Sequence, residues 1–407
     1  MPLGLSCVSA ATINAGHEVK FLDLMDEASD ETSLRTFIAS FDPEIIGISV
    51  RNVDDQNMEK PRFLLEQVKK VVTVCRKYSD ALIVLGGAGY SIFPESALNY
   101  LEADMGIQGE GESSFPLLLK YLERSNDIAT VPGLYLRGSG RQGERLFEKN
   151  LDRFLLPHAE TASLRPSEQE DFWIPIQTRR GCPMACSYCS TATIEGRLIR
   201  KRHPDSIMDQ IAGYANAGFK RFYFVDNIFN IPGDYAEKIC RKIIESRLSI
   251  SWRCIIYPWQ VGKELINLMQ KAGCIEVSLG FESGCERILR SMNKKYSPED
   301  VRRISQMFRE SGIKQTGFLL LGGPGETKTS ILESLAFADL LRLDALKITI
   351  GIRIYPETLL AKIAIDEGRI RPQDNLLHPR FYVVSNLGDW LCETAHNWVA
   401  DRPNWVS

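Results

Sequence analysis

The sequence predicts an α/β chain of two parallel-sheet units, the second an incomplete barrel. Three observations predict it. Short β-branched apolar runs alternate with helical stretches along the whole chain. Several helical stretches end in a glycine of the kind that stops a helix, namely Gly218, Gly273 and Gly312. Polar or glycine-rich segments follow the apolar runs abruptly, as they do where strands end at a shared opening. At 407 residues the chain exceeds the size at which one core keeps growing, so two domains and a tail are expected.

In the first unit, EVKFLDL (18–24), EIIGISV (44–50), ALIVLGG (81–87) and ADMGIQGEGE (103–112) are expected as buried parallel strands. The stretch 132–147 has a glycine-rich centre between two short apolar runs and predicts a hairpin. Polar, proline-containing sequence over 151–170 predicts a linker. In the second unit the expected strands are 172–178, 221–226, 250–256, 274–282, 314–322 and 345–354. Helical stretches of roughly 10–20 residues lie between them. Six β/α units in succession predict a partial (β/α)6 barrel of the TIM type, with its chemistry at the carboxyl ends of the strands. The expected boundaries are 1–125 for the first domain, 126–170 for hairpin and linker, 171–358 for the barrel and 359–407 for a C-terminal extension.

Composition narrows the function classes. The net charge is −3 with both signs almost balanced, so no nucleic acid or other polyanion partner is implied. No run of ~18 uncharged apolar residues suggests a membrane span, and the first residues lack the pattern of a signal peptide. Ten cysteines in 407 residues do not make a secreted disulfide scaffold, and a reducing cytosol is the expected compartment.

The chemistry-bearing residues fall after the predicted strands. Cys182, Cys186 and Cys189 form a C-x3-C-x2-C trio after the first barrel strand. Asp226 and Asn227 end the second, Glu282 and Ser283 the fourth, and GGPGE (322–326) the fifth. A structural zinc site wants four ligands, and His203 is a distant candidate for the fourth. A [4Fe-4S] cluster held by three cysteines keeps one iron open for a small molecule. Cys240, Cys254 and Cys274 lie in apolar elements and are expected in the core. GGPGETKTS lacks the glycine that a phosphate loop needs before Lys328, where Thr327 stands. The basic run Arg197, Arg200, Lys201 and Arg202 is expected on a solvated face, with an arginine clamp for a carboxylate as the alternative.

In combination these motifs resemble the radical S-adenosylmethionine (radical SAM) superfamily over about 172–356. The resemblance implies that Cys182, Cys186 and Cys189 hold a [4Fe-4S] cluster whose open iron chelates S-adenosylmethionine. Tyr188 then lies near the adenine, Asp226 and Asn227 near the amino group, and Glu282 near the ribose. The backbone at Gly322 and Gly323 would run along the adenine. Such enzymes cleave S-adenosylmethionine reductively to a radical that abstracts hydrogen from an unactivated carbon, and they draw electrons from a donor such as flavodoxin or ferredoxin.

The first unit, through PLGLSCVSAATINAGHEVKFLDL (2–24), Ser49, LGGAGY (85–90) and GIQGEGE (106–112), resembles the flavodoxin- or Rossmann-like cobalamin-binding domain that precedes the barrel in one branch of that superfamily. Ser49, Gly86, Gly87, Gly109 and Gly111 are the implied cobalamin contacts, and no histidine ligand to cobalt is evident. The first strand of that domain is missing ahead of the helix at Pro2. An internal methionine taken as the start is the expected reason, with truncation or a degenerate domain as alternatives. The expected function is a cobalamin-dependent radical SAM methyltransferase. A cyclase or rearrangement enzyme with the same cofactors and a non-catalytic corrinoid or iron–sulfur binder are the alternatives. Lipid, tetrapyrrole, peptide and other small-molecule substrates all stay open. The aromatics Phe381, Tyr382, Trp390, Trp398 and Trp405 are expected to cap the barrel mouth, with core packing as the alternative.

Overall fold

A computed structural model describes residues 2–24, 31–157 and 172–407. The first domain runs through α1 (Leu3–Asn14), α2 (Glu31–Ala39), β1 (Ile45–Ser49), α3 (Leu65–Tyr78), β2 (Leu82–Gly86), α4 (Ala88–Ile92), α5 (Pro94–Leu101), β3 (Met105–Ile107) and α6 (Gly111–Glu123). β1, β2 and β3 pair in parallel. The predicted hairpin forms as β4 (Leu134–Leu136) and β5 (Gly140–Arg141), and it extends this sheet antiparallel from β3.

Two expected strands of this domain differ. Residues 18–24 carry no strand and pair with none of the described strands, and β1, bonded among the described residues to β2 alone, is the edge of the sheet. Phe21 and Leu24 are both 38% exposed there. Of 103–112 only β3 is extended; from Gly111 the chain already turns as α6.

The second domain begins at β6 (Ile174–Ile176) and a two-stranded ribbon, β7 (Arg179–Arg180) with β8 (Arg200–Lys201), which encloses α7 (Thr191–Glu195). Then come α8 (Pro204–Asn216), β9 (Arg221–Phe224), α9 (Gly233–Ser246), β10 (Ser251–Ile256), α10 (Lys263–Lys271), β11 (Cys274–Glu282), α11 (Glu286–Ser291), α12 (Pro298–Glu310), β12 (Lys314–Leu321), α13 (Lys328–Leu341) and β13 (Ala345–Ile350). The six expected strands stand side by side in sequence order, all parallel. The sheet stays open, as a half-barrel does. Along β10, Trp252, Cys254 and Ile256 are buried under the helices, while Ile255 faces the concave interior; that is the period-2 alternation of a strand. Cys240, Cys254 and Cys274 lie in this core, as expected.

The last expected strand breaks in two. Gly351 adopts φ +73°, and the chain restarts as β14 (Ile352–Arg353). β14 pairs antiparallel with β15 (Phe381–Tyr382), after α14 (Leu359–Asp366). α15 (Gly388–Ala400) and β16 (Trp405–Val406) end the chain, and β16 adds to β13 at Leu346 and Lys347. Trp405 therefore sits at the amino end of β13, far from the mouth. Trp398 and Trp405 flank Arg402, 5.0 and 5.1 Å from its guanidinium, and Arg402 is anchored on Asp339 of α13. Packing against the sheet edge, not capping, is the fate of these two tryptophans. Tyr382 is buried in the apolar cluster that joins the first domain to the extension.

Two buried ion clusters fasten the domains. Arg353 donates to Asp54 at 2.8 Å, both side chains being 2% exposed. On the other flank Arg180 and Arg200 meet Glu110 and Glu112. The expected solvated face is thus overturned for Arg200 and for Arg202, which donates to the Leu151 and Phe154 carbonyls. Leu151 and Phe154 are buried, so the start of the expected linker packs; 158–171 lies outside the described residues. No described helix is long and apolar enough to cross a membrane.

Candidate active site

The β7–β8 ribbon closes the base of the cysteine loop. Gly181 sits at φ +88°, and a Cβ there would collide with the Leu198 carbonyl oxygen, so only glycine lets the loop start this close to its return strand. The backbone is then held from three sides. Cys182 N–H donates to Gly196 O at 3.1 Å; Asn293 Nδ2 donates to Ala185 O at 2.7 Å; Ser187 N–H donates to Met292 O at 3.1 Å and Ser187 O accepts from Leu360 N–H at 2.8 Å. Cys182 is buried, Cys186 half-buried and Cys189 exposed, and all ten cysteines are free. The structure places the trio on one loop without converging it: among the described residues no three histidine, cysteine or acidic side chains form a ready metal cage.

The donor chemistry fits a cluster better than zinc. Burial pushes the Cys182 thiol up to about 11 and raises that of Cys186, which Lys294 pulls back. Neighbouring thiols on such a loop lose their protons only to a cationic centre that compensates the charge. His203 offers no fourth ligand, because it caps α8 by accepting from Asp205 N–H.

Beneath the loop Asp226 is fully buried, and both its oxygens are engaged. One accepts from Thr178 N–H at 2.7 Å and Arg179 N–H at 3.1 Å, the other from Thr178 Oγ1 at 2.5 Å and, as an ion pair, Arg179 Nε at 3.2 Å. Asn227 donates to Glu195 Oε2 at 2.6 Å, and the same oxygen accepts from Gly181 N–H at 2.9 Å. Asp226 therefore ties the second barrel strand to the root of the cysteine loop, and Glu195 joins that loop to Asn227.

Glu282 ends β11 at a register shift and at φ +60°. A bulge and a left-handed non-glycine residue re-aim a side chain at local cost. Its Oε1 meets Lys294 Nζ at 3.1 Å, and that ammonium also donates to Tyr188 OH at 2.9 Å. Burial alone would lower the Lys294 pKa; Glu282 first, then Tyr296 and Tyr188, overturn this and hold it well above the ordinary lysine value. Tyr188 and Glu282 line a cavity of about 470 Å³ in the half-barrel, together with Tyr223, Phe318, Tyr355 and, from the first domain, Gln56. A groove of about 600 Å³ between α8 and α9 is larger. It lies on the outer surface, its cations Lys242 and Arg241 are paired with Asp205 and Glu264, and we place the chemistry in the half-barrel.

The strand ends of the first sheet present the expected glycines unequally. Gly86 has no heavy atom within 4 Å of where a Cβ would stand, and Ser49 beside it is exposed. Gly87, at φ +98°, is needed by the chain itself, since a Cβ would lie 2.6 Å from Val50 O. Gly111 lets Val8 of α1 approach, and Gly109, at φ +97°, faces Arg145. Gly86 and Ser49 thus leave an open shelf that a flat macrocycle could meet.

Comparison with known proteins agrees with this arrangement. A B12 binding domain model matches residues 1–119, and a radical SAM superfamily model matches residues 176–338. The chain carries a B12 binding domain followed by a radical SAM domain. An uncharacterised methyltransferase of Pyrococcus horikoshii is 24% identical over 89% of this chain and 78% of its own length. The tryptophan 2-C-methyltransferase of Streptomyces laurentii is 23% identical over 89% and 71%. The radical SAM methyltransferase TsrM from Kitasatospora setae, solved with tryptophan and a SAM analogue, shares the fold at a TM-score of 0.81 and 23% identity, over 90% of this chain and 73% of TsrM. The cobalamin-dependent SAM radical enzyme OxsB does so at 0.79 and 14% identity; the match takes in 98% of this chain and 64% of OxsB.

The radical SAM domain implies a [4Fe-4S] cluster and S-adenosylmethionine, and the B12 binding domain implies cobalamin. Sequence reasoning passed over Glu195 and Lys294, and it named Glu326 only within the GGPGE stretch. Glu326 is 3% exposed. Its Oε2 accepts from the N–H groups of Gly322 and Gly323, and its Oε1 is buried without a partner. Burial pushes its carboxyl up from 4.5 to about 7 against those two N–H donors. A raised carboxyl pKa means that the folded state binds the extra proton, so this contribution is fully present below pH 4.5 and is lost as pH rises through 7. Glu326→Gln is expected to flatten the fall in stability between about pH 5 and pH 7, a difference of at most ~3 kcal/mol. Urea unfolding at stepped pH measures it, and an unchanged slope would refute the assignment.

Proposed function

We propose that this chain is a cobalamin-dependent radical SAM methyltransferase acting on an unactivated carbon. The observation that carries the reading is the shared cavity: Gln56 of the cobalamin-binding domain lines it with Tyr188 and Glu282 of the barrel. Cys182, Cys186 and Cys189 would hold the cluster; Tyr188, Glu282, Asn227 and the Gly322–Gly323 backbone would border S-adenosylmethionine, and Asp226 would brace the cysteine loop from below. Ser49 and Gly86 would border cobalamin. Bound together, these cofactors supply one-electron chemistry at carbon and a transferable methyl group. The chain's own part is placement and exclusion of water. Phe318 and Tyr355 narrow the cavity, Lys294 fixes Tyr188 and Glu282, and the Asp54–Arg353 pair holds the two halves in register. A low-potential protein electron donor and a small substrate complete the proposal.

The test is anaerobic reconstitution of the chain with iron, sulfide, hydroxocobalamin, a reductant and S-adenosylmethionine. Both 5'-deoxyadenosine and S-adenosylhomocysteine are expected. Deoxyadenosine alone would favour rearrangement over methyl transfer, and a chain that retains neither cluster nor corrin would sink the reading. Gly86→Leu is a sharper arm. It is expected to abolish corrin retention with an unchanged melting profile, because no heavy atom of the described residues lies within 4 Å of where its Cβ would stand. Normal corrin retention in that variant would move the site elsewhere.

A further inference from the structure

Lys294 is a buried charge with no role in the family reading of the motifs. Its side chain is 4% exposed. The ammonium lies 3.1 Å from Glu282 Oε1 and 2.9 Å from Tyr188 OH. The rings of Tyr188, Tyr257 and Tyr296 surround it at 5.2, 5.7 and 5.9 Å, and Tyr188 stands next to Cys189 in the loop. The neighbouring residues Met292 and Asn293 hold the cysteine loop at Ser187 and Ala185. One short segment thus grips the loop's backbone and fixes a cation on Tyr188, which lies between Cys186 and Cys189 in the loop.

We propose that Lys294 is a positioning residue that sets the reduction potential of the cluster held by Cys182, Cys186 and Cys189. The inference rests on the proposed cluster ligation. Reduction adds negative charge to a centre already rich in thiolate, and cluster potentials respond to nearby charge, to hydrogen bonds at the sulfurs and to solvent exposure. A cation fixed against the cysteine loop, in a site that excludes water, stabilises the reduced state far more than one in bulk water does. Glu282 opposes it with the other sign. The potential therefore follows the balance of Lys294 and Glu282, and Tyr188 and Tyr296 keep the ammonium from swinging away. A purely structural ion pair would leave the potential unmoved, or would shift it in the same direction whichever partner was removed.

The experiment is a redox titration followed by electron paramagnetic resonance on reconstituted full-length chain without S-adenosylmethionine. Lys294→Met is expected to make the midpoint more negative than wild type, and Glu282→Gln to make it more positive. The double variant should fall between the two, and Lys294→Arg should stay close to wild type. Equal midpoints, or shifts of one sign in both single variants, would overturn the proposal. If Lys294→Met loads no cluster, the Glu282→Gln and Lys294→Arg midpoints still decide. A wild-type chain that loads no cluster would instead refute the ligation on which the proposal rests, and iron content reads that outcome separately.

Discussion

Arg180→Met is expected to destabilise the chain by about 3–5 kcal/mol, the usual consequence of removing one partner from a buried ion pair. Arg180 is 8% exposed and lies in β7, one residue before the cysteine loop. Its guanidinium meets Glu110 at 3.1 Å, Glu112, and Gln177 Oε1 at 2.8 Å, while Arg200 meets Glu110 at 2.6 Å. Two guanidiniums thus neutralise two carboxylates away from water. Burial would raise the Glu112 carboxyl, and Arg180 more than offsets this and holds it below the ordinary value. Stability from that depressed carboxyl is present above pH 4.5 and lost as pH falls below it. In the variant Glu112 stands buried without its main partner, so the penalty should be larger at pH 7 than at pH 5. Arg180→Met with Glu112→Gln should recover part of it, because a neutral pair leaves no uncompensated charge. The damage should also reach both cofactors. Glu110 and Glu112 flank Gly111 at the end of the first sheet, and Arg180 borders Gly181, so iron and cobalt retention should fall together. Calorimetry and metal analysis check this; a melting profile equal to wild type would refute it.

The same cluster shows where sequence reading reaches its limit. Glu112 and Arg180 are 68 residues apart and Glu110 and Arg200 are 90 apart, and no local pattern links such partners. The run Arg197–Arg202 reads as a solvated face because charge runs usually are one, yet Arg200 and Arg202 are buried against the Glu110 carboxylate of the first domain and the carbonyls of Glu148, Leu151 and Phe154 in the connecting segment. The barrel strands were legible because each is a short apolar run that buries one face under helices; β11 spans the expected 274–282 to the residue. Residues 18–24 read as a similar run and form no strand, pairing with none of the described strands. Lys294 was hidden for a third reason. Only the fold brings the twelfth residue after Glu282 back against it, through α11 and a turn in which Asn293 takes φ +58°. The cysteine trio needed none of this, because its ligands are local and their spacing is the signal.

Asp226→Asn is expected to cost a similar 3–5 kcal/mol and to empty the site indirectly. The replacement keeps the volume and removes the charge. With its remaining oxygen kept on the Thr178 and Arg179 N–H groups, the amide turns its NH2 toward the Thr178 hydroxyl, which can accept, and toward the Arg179 guanidinium, which can only donate. Arg179, 2% exposed, would retain Ile231 O and the faces of Phe229 and Tyr235 but no counter-charge. Thr178 and Arg179 lead directly into Gly181 and Cys182, so the strain enters the loop at its root. The expected signature is a lower first unfolding transition and reduced iron loading, before any S-adenosylmethionine is added. Asn227→Ala separates this from ligand binding. It removes one hydrogen bond to Glu195 and no buried charge, so iron loading should persist while S-adenosylmethionine affinity falls, as read by equilibrium binding on the reconstituted chain. If Asp226→Asn kept wild-type stability and iron and lost only S-adenosylmethionine affinity, Asp226 would be a direct ligand and the bracing role would be wrong. The geometry favours bracing, because every acceptor position that Asp226 directs toward the loop is already taken by the chain.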